Sequence, residues 1–179
     1  MTDGVTFRRA DLQQEADRQV FVDLSQEYFQ WMDREIIRLC GFSIPTIVNM
    51  ALGDYVAYTA KIGAGINPAE GGIYFLRDAG RNAVAMGGLR RLPSGSAEIV
   101  RIYTRPQCRG HGYGATMVEN LIFEARRLGY PELYLDTGVF MTSAQKIYSA
   151  AGFSACDPYS GAEPPEALKP YWLYMRRSL

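Results

Sequence analysis

The sequence is poor in the residues that build metal centres or disulfide scaffolds. It has one histidine, His111, and three cysteines, Cys40, Cys108 and Cys156, odd in number and far apart. Structural zinc needs four clustered Cys or His ligands and a secreted scaffold needs paired cysteines, so no metal is expected. The cysteines read as free thiols of a reducing compartment. Net charge is also missing, with 19 Lys and Arg against 19 Asp and Glu. That balance gives no electrostatic reason to expect a nucleic-acid or anionic-membrane partner. No apolar run approaches the roughly 20 residues needed to cross a bilayer, and "MTDGVTFRRADLQQEADRQ" carries no signal-peptide core. A cytoplasmic protein is expected, and a homodimer is left open. What is present is an ordinary apolar share of 47% over 179 residues, enough for one domain spanning 1–179 with a sizeable core.

Periodicity orders the chain. "VTFRRA" predicts a first strand, after which Asp11 is expected to cap a long helix carrying Phe21, Leu24, Tyr28, Trp31, Met32 and Ile36. Gly41 and Pro45 interrupt it, and a second helix is expected from near Asp54. "IYFLRD", "AVAMGGLRRL" and "AEIVRIYT" read as strands joined by the turns "AGRN" and "PSGS". "ATMVENLIFEARRLG" is a clear amphipathic helix, with Met117, Leu121, Ala125 and Leu128 on one stripe and Gly129 as its stop. A strand "ELYLDT", a helix "SAQKIYSAAG" and the strands "FSACD" and "YWLYMRR" follow, the last two separated by the Pro-rich "PYSGAEPPEALKP". A meander that turns into a strand–helix–strand step predicts a mixed α/β sheet.

The stretch "RPQCRGHGYGATM" places Gly110, Gly112 and Gly114 at alternate positions ahead of a helix. Such glycines let backbone amides close on a phosphate, and helix N-termini supply unpaired N–H groups there. Gly110-x-Gly112-x-x-Ala115 satisfies the dinucleotide pattern, with Asp136 where a ribose-binding acid would stand. Three features oppose a dinucleotide-binding oxidoreductase. Several residues separate Tyr103 from Gly110; the incoming strand carries Glu98 and Arg101; and too little chain follows Gly129 for a doubly wound sheet.

The same residues also read Arg109-x-x-Gly112-x-Gly114, and "AQKIYSAAGF" follows downstream. In these motifs, and from about Ile73 to the C-terminus, the chain resembles the GNAT acetyltransferase superfamily. The resemblance implies a mixed central sheet, an antiparallel meander plus a splayed parallel pair, flanked by helices. It implies transfer of acetyl from acetyl-CoA to a primary amine by direct attack in a ternary complex. The alternative within the same fold is a catalytically weak module that only binds the coenzyme. By resemblance, backbone of Arg109, Gly110, His111, Gly112, Tyr113, Gly114 and Ala115 cradles the pyrophosphate. Ile102, Tyr103 and Thr104 would bind the pantetheine arm like an added strand and polarise the thioester carbonyl. Glu98 stands eleven residues before Arg109, at the position of the family's catalytic base, and Tyr148 matches the tyrosine that protonates the departing thiolate. An amine of pKa about 10.4 arrives protonated, which is why a base is needed.

Each residue also has a bland reading. Glu98 could be an exposed strand residue paired with Arg90 or Arg101, Tyr148 a core tyrosine, and His111 a solvated loop residue. One departure from the family is Met141, where an asparagine often binds the arm; Thr142 or Ser143 could stand in for it. The acceptor is not legible. Tyr28, Trp31, Tyr55, Tyr58, Tyr159 and Tyr171 could line an aromatic pocket, but aromatics at helical spacing are more often core, and core is the expectation.

Overall fold

The computed structural model describes residues 4–162 and 164–179. Seven strands form one sheet in the order β1-β2-β3-β4-β5-β7-β6. They are β1 (Thr6–Arg9), β2 (Gly72–Arg77), β3 (Ala83–Arg91), β4 (Ala97–Thr104), β5 (Glu132–Gly138), β6 (Ser154–Cys156) and β7 (Trp172–Ser178). The pair β4–β5 is parallel and the remaining pairs are antiparallel. This is the expected mixed sheet, and it excludes the doubly wound alternative, whose strands run mostly parallel. Helices α1 (Glu15–Cys40), α2 (Ile44–Val48) and α3 (Leu52–Ala64) serve one face, and α4 (Tyr113–Arg127) and α5 (Thr142–Ala150) the other. Among the described residues no helix is long and apolar enough to cross a membrane.

The helices form where periodicity places them. Helix α4 buries Met117, Val118, Leu121, Ile122 and Ala125 against the sheet and ends before Gly129 at φ 80°. Helix α1 buries Phe21, Leu24, Phe29 and Ile36, and stops at Gly41 in the left-handed region. Its start differs from the expectation. Gln14 precedes the first turn, and the Asp11 carboxylate instead accepts from the Gln13 amide, holding a tight turn between β1 and α1. Asp17 closes that turn by accepting from the Asp11 amide and from Arg8.

Strand β4 shapes everything that follows. It pairs with β5 at Ala97–Leu133 and Glu98–Tyr134, and then the two strands diverge. Against β3, Val100 faces Gly88 and Tyr103 faces Met86, so Arg101 and Ile102 together oppose Gly87. Arg101 takes φ 55° to make this bulge. The extra residue reverses the strand's side-chain phase. Ile99 and Ile102 therefore both pack on the α4 side, whereas Tyr103 joins the α1 side. Gly87 is required opposite the bulge, because a Cβ there would lie 2.7 Å from Ile102 Cδ1 and 2.9 Å from Leu121 Cδ1.

Candidate active site

Divergence of β4 from β5 opens a cleft of about 490 Å³. Ile102, Tyr103 and Thr104 line one wall; Arg109, Gly110, Gly112, Tyr113, Gly114 and Ala115 close one end; and Met141, Thr142, Ser143 and Tyr148 line the side formed by α5 and the turn before it. Of the twelve residues singled out from the sequence, ten line this cleft; Glu98 lies away from it, and within the loop there is one exception. That exception is His111, whose Nδ1 lies 3.0 Å from the Arg109 carbonyl oxygen while its ring stacks on Tyr113.

The three glycines do different jobs. Gly110 and Gly112 have φ 82° and 79°, a conformation costly for other residues, and Gly112 caps the N-terminus of α4. The first-turn amides of α4 have no intrahelical acceptor, so they face the end of the cleft as donors. Gly114 sits inside the first turn, where a Cβ would come within 3.1 Å of Ile147 Cδ1. Its smallness lets α5 approach α4. The loop is thus a cradle whose shape fits an anionic phosphate, and the outer part of β4 offers backbone beside it. Arg109 fixes the loop to its surroundings: Nε donates to the Thr104 carbonyl at 3.2 Å, and the guanidinium lies 5.8 Å from the Trp31 ring centroid and 5.9 Å from that of Tyr103.

A second, smaller cavity of about 80 Å³ lies next to the first. Phe29, Met32, Ile44, Tyr55, Leu168 and Trp172 are among its walls, with Pro164 and Pro165 contributed by the chain between β6 and β7. Tyr28, Ile99, Arg101, Asp136 and Met141 line both cavities and mark where they meet. The expectation that the helix aromatics belong to the core holds only in part: Tyr28 and Tyr55 pack against the core but also face open space. Tyr28, Trp31 and Tyr55 line the clefts, and Tyr58 is 52% exposed. Tyr28 and Trp31 stand three apart on α1, and Tyr55 and Tyr58 three apart on α3; the sheet beneath is split between β4 and β5, so part of the α1 stripe faces a cleft.

The ionisable groups separate into two sets. Tyr148 is buried on the wall of the larger cleft, and its phenol is pushed well above the ordinary value by desolvation and then by the negative charge of Asp136. Asp136 accepts from Trp172 Nε1 at 2.9 Å, which orients one carboxylate oxygen at the meeting point of the cavities. Glu98 is elsewhere. It has no solvent exposure and lines neither cavity; Oε1 accepts from the Tyr159 hydroxyl at 2.6 Å and Oε2 from Arg90 Nε at 2.5 Å. The bland reading had the partner Arg90 right and the exposure wrong. Asp136 is the residue that the sequence reading did not bring to this chemistry. Its only signal was an acid at the end of a strand that follows a glycine loop, and that signal belonged to the dinucleotide pattern.

Comparison with known proteins bears on the fold and the family. An uncharacterised N-acetyltransferase of Schizosaccharomyces pombe is 35% identical over 65 residues, 36% of this chain and 40% of that protein. The IAA acetyltransferase of Azospirillum brasilense is 31% identical over 85 residues, 48% of this chain and 53% of that protein. The chain thus spans about half the length of the curated relatives it matches. In three dimensions, the PaiA N-acetyltransferase of Thermoplasma acidophilum, solved in complex with coenzyme A, superposes with a TM-score of 0.70 at 14% identity, covering 98% of this chain and 99% of that one. At that identity the likeness is one of fold. The model of the Acetyltransferase (GNAT) family matches residues 21–153, well over half of the chain, and this protein belongs to that family.

Proposed function

We propose that this protein transfers an acetyl group from acetyl-CoA to a primary amine, with both substrates bound together. The observation that carries the reading is the meeting of two clefts, one edged by backbone and a phosphate cradle, the other apolar, at Arg101 and Asp136. Backbone of residues 109–115 holds the pyrophosphate, and Ile102, Tyr103 and Thr104 bind the pantetheine arm and polarise the thioester carbonyl. The amine nitrogen attacks that carbonyl carbon, the C–S bond breaks, and the amine proton passes to a base. Tyr148, kept neutral by burial, gives its proton to the departing thiolate. For the base, Asp136 is better placed than Glu98, because it lines both cavities and Glu98 lines neither. A base must reach the proton within about 2.6–3.2 Å, directly or through one water. The acceptor cavity is small and walled by aliphatic and aromatic side chains, so we assign it to small amines with an apolar body.

Calorimetry with acetyl-CoA and with NAD, followed by thiol release across a panel of alkyl, arylalkyl and amino-acid amines, tests the reading. Acetyl-CoA binding with turnover of apolar amines is expected. Tight NAD binding without acetyl-CoA binding would overturn it, and coenzyme binding without turnover of any amine would leave only a binding module.

A further inference from the structure

Glu98 and the chain between β6 and β7 form one connected unit. That segment, described at residues 157–162 and 164–171, leaves the sheet edge at β6 and returns as β7. On its way Tyr159 packs against the rings of Tyr134 and Tyr174, at centroid distances of 4.8 and 5.9 Å, and its hydroxyl donates to Glu98. Two residues on, the Gly161 carbonyl accepts from Arg90 at 2.5 Å, the same arginine that holds the other Glu98 oxygen. Gly161 also leaves room for Leu92 and Pro93, which a Cβ would approach to 3.2 and 3.1 Å. Just beyond these anchors come Pro164, Pro165 and Leu168, which wall the acceptor cavity.

We infer that Glu98, Arg90 and Tyr159 are a tether that seats residues 164–168 as a wall of the acceptor cavity, so that Glu98 is a positioning residue for the acceptor. A buried carboxylate is costly unless fully paired, and removing one partner leaves an uncompensated charge. Such a group is retained where it fixes one arrangement among several. Here the arrangement fixed is the path of the β6–β7 segment. Arg90 and Tyr159 are arranged for this: Tyr159 belongs to the segment itself, and Arg90 also holds the segment's backbone.

This inference rests on the proposed acetyl transfer only for its kinetic readout. Tyr159→Phe keeps the ring between Tyr134 and Tyr174 and deletes one hydroxyl. In that variant the KM for an apolar amine is expected to rise about tenfold, about 1.4 kcal/mol, while kcat stays within a factor of about three and acetyl-CoA affinity is unchanged. Glu98→Gln should show the same split and keep the acidic limb of the kcat/KM profile. If Glu98 were instead the base, Glu98→Gln would lower kcat by about a hundredfold and lose that limb, and Tyr159→Phe would not reproduce it. Amide hydrogen exchange on the intact protein supplies the second readout. Tyr159→Phe should speed exchange across residues 157–171 at least severalfold and leave β2 and β3 unchanged. Faster exchange in a protein that acetylates no amine would uphold the tether and sink the proposed function. Unchanged exchange and unchanged acceptor KM would sink the tether and leave the proposed function standing.

Discussion

The two clefts that meet at Asp136 are built in different ways. The larger is made of backbone: diverging strands, positive-φ glycines and the first turn of α4. The smaller is made of side chains from α1, α2, β4, β5 and the β6–β7 segment, residues separated by more than a hundred positions in the chain. Backbone recognition constrains which residues can stand at consecutive positions, whereas an apolar wall accepts many side chains of similar volume. One cleft therefore leaves a local mark in the sequence and the other does not. Mutations in the two should also separate cleanly, one set acting on coenzyme affinity and the other on acceptor KM.

The largest expected effect falls where that separation ends. Asp136→Asn should lower kcat by roughly a hundredfold or more with acetyl-CoA affinity preserved, as measured by thiol release and calorimetry on one preparation. A loss confined to acceptor KM would make Asp136 a binding group for the amine alone. Tyr148→Phe comes next. Because a thiol of pKa about 8.5 is already a fair leaving group, kcat should drop by about tenfold, below the usual yield of a positioned acid. An unchanged kcat would return Tyr148 to the core. Gly112→Ala sharpens the backbone side. Forcing a Cβ into the left-handed region costs about 1–2 kcal/mol, so coenzyme affinity should fall by roughly five- to thirtyfold with acceptor KM unmoved.

The smallest effect lies outside both clefts, at the turn joining β1 to α1. Burial opposes the charge on Asp17, yet hydrogen bonds from Arg8 and the Asp11 amide, with Arg77 nearby, hold its carboxyl below the ordinary range. A depressed folded-state pKa means stability that is present above the unfolded value, about 3.9, and lost as pH falls through the folded one. Urea melts of wild type and Asp17→Asn should differ most near neutral pH and begin to converge only below about pH 4, as pH falls toward the lowered folded value, with both sets of kinetic constants unaltered.

Much of the fold was legible because its signals are local. The strands from Gly72 to Thr104 and the helix from Tyr113 carry their own period and their own turn residues. The glycine loop was legible too, although it could not show that Gly114 also makes room for Ile147. What was illegible depends on registry. The bulge at Arg101 shifts β4 by one residue, which decides which side chains face a cleft, and nothing in "AEIVRIYT" announces it. Likewise Glu98 sits where a family base is expected, but one of its carboxylate oxygens is taken by Tyr159, 61 positions away. Asp11 failed as a cap because its carboxylate found a nearer donor at Gln13.

The splay of β4 from β5 has a consequence for solubility. Open sheets expose two edges, and proteins protect them because an unpaired strand templates association with other chains. This sheet acquires two further edges near its middle, on β4 beyond Glu98 and on β5 beyond Tyr134, screened by helices on both faces rather than by a neighbouring strand. The protection is therefore only as good as the seating of α1 and α5. Variants that loosen either helix should aggregate before they unfold, and a ligand that occupies the edge should suppress that aggregation by mass action. In this protein the feature that opens the cleft is also the one most in need of being covered.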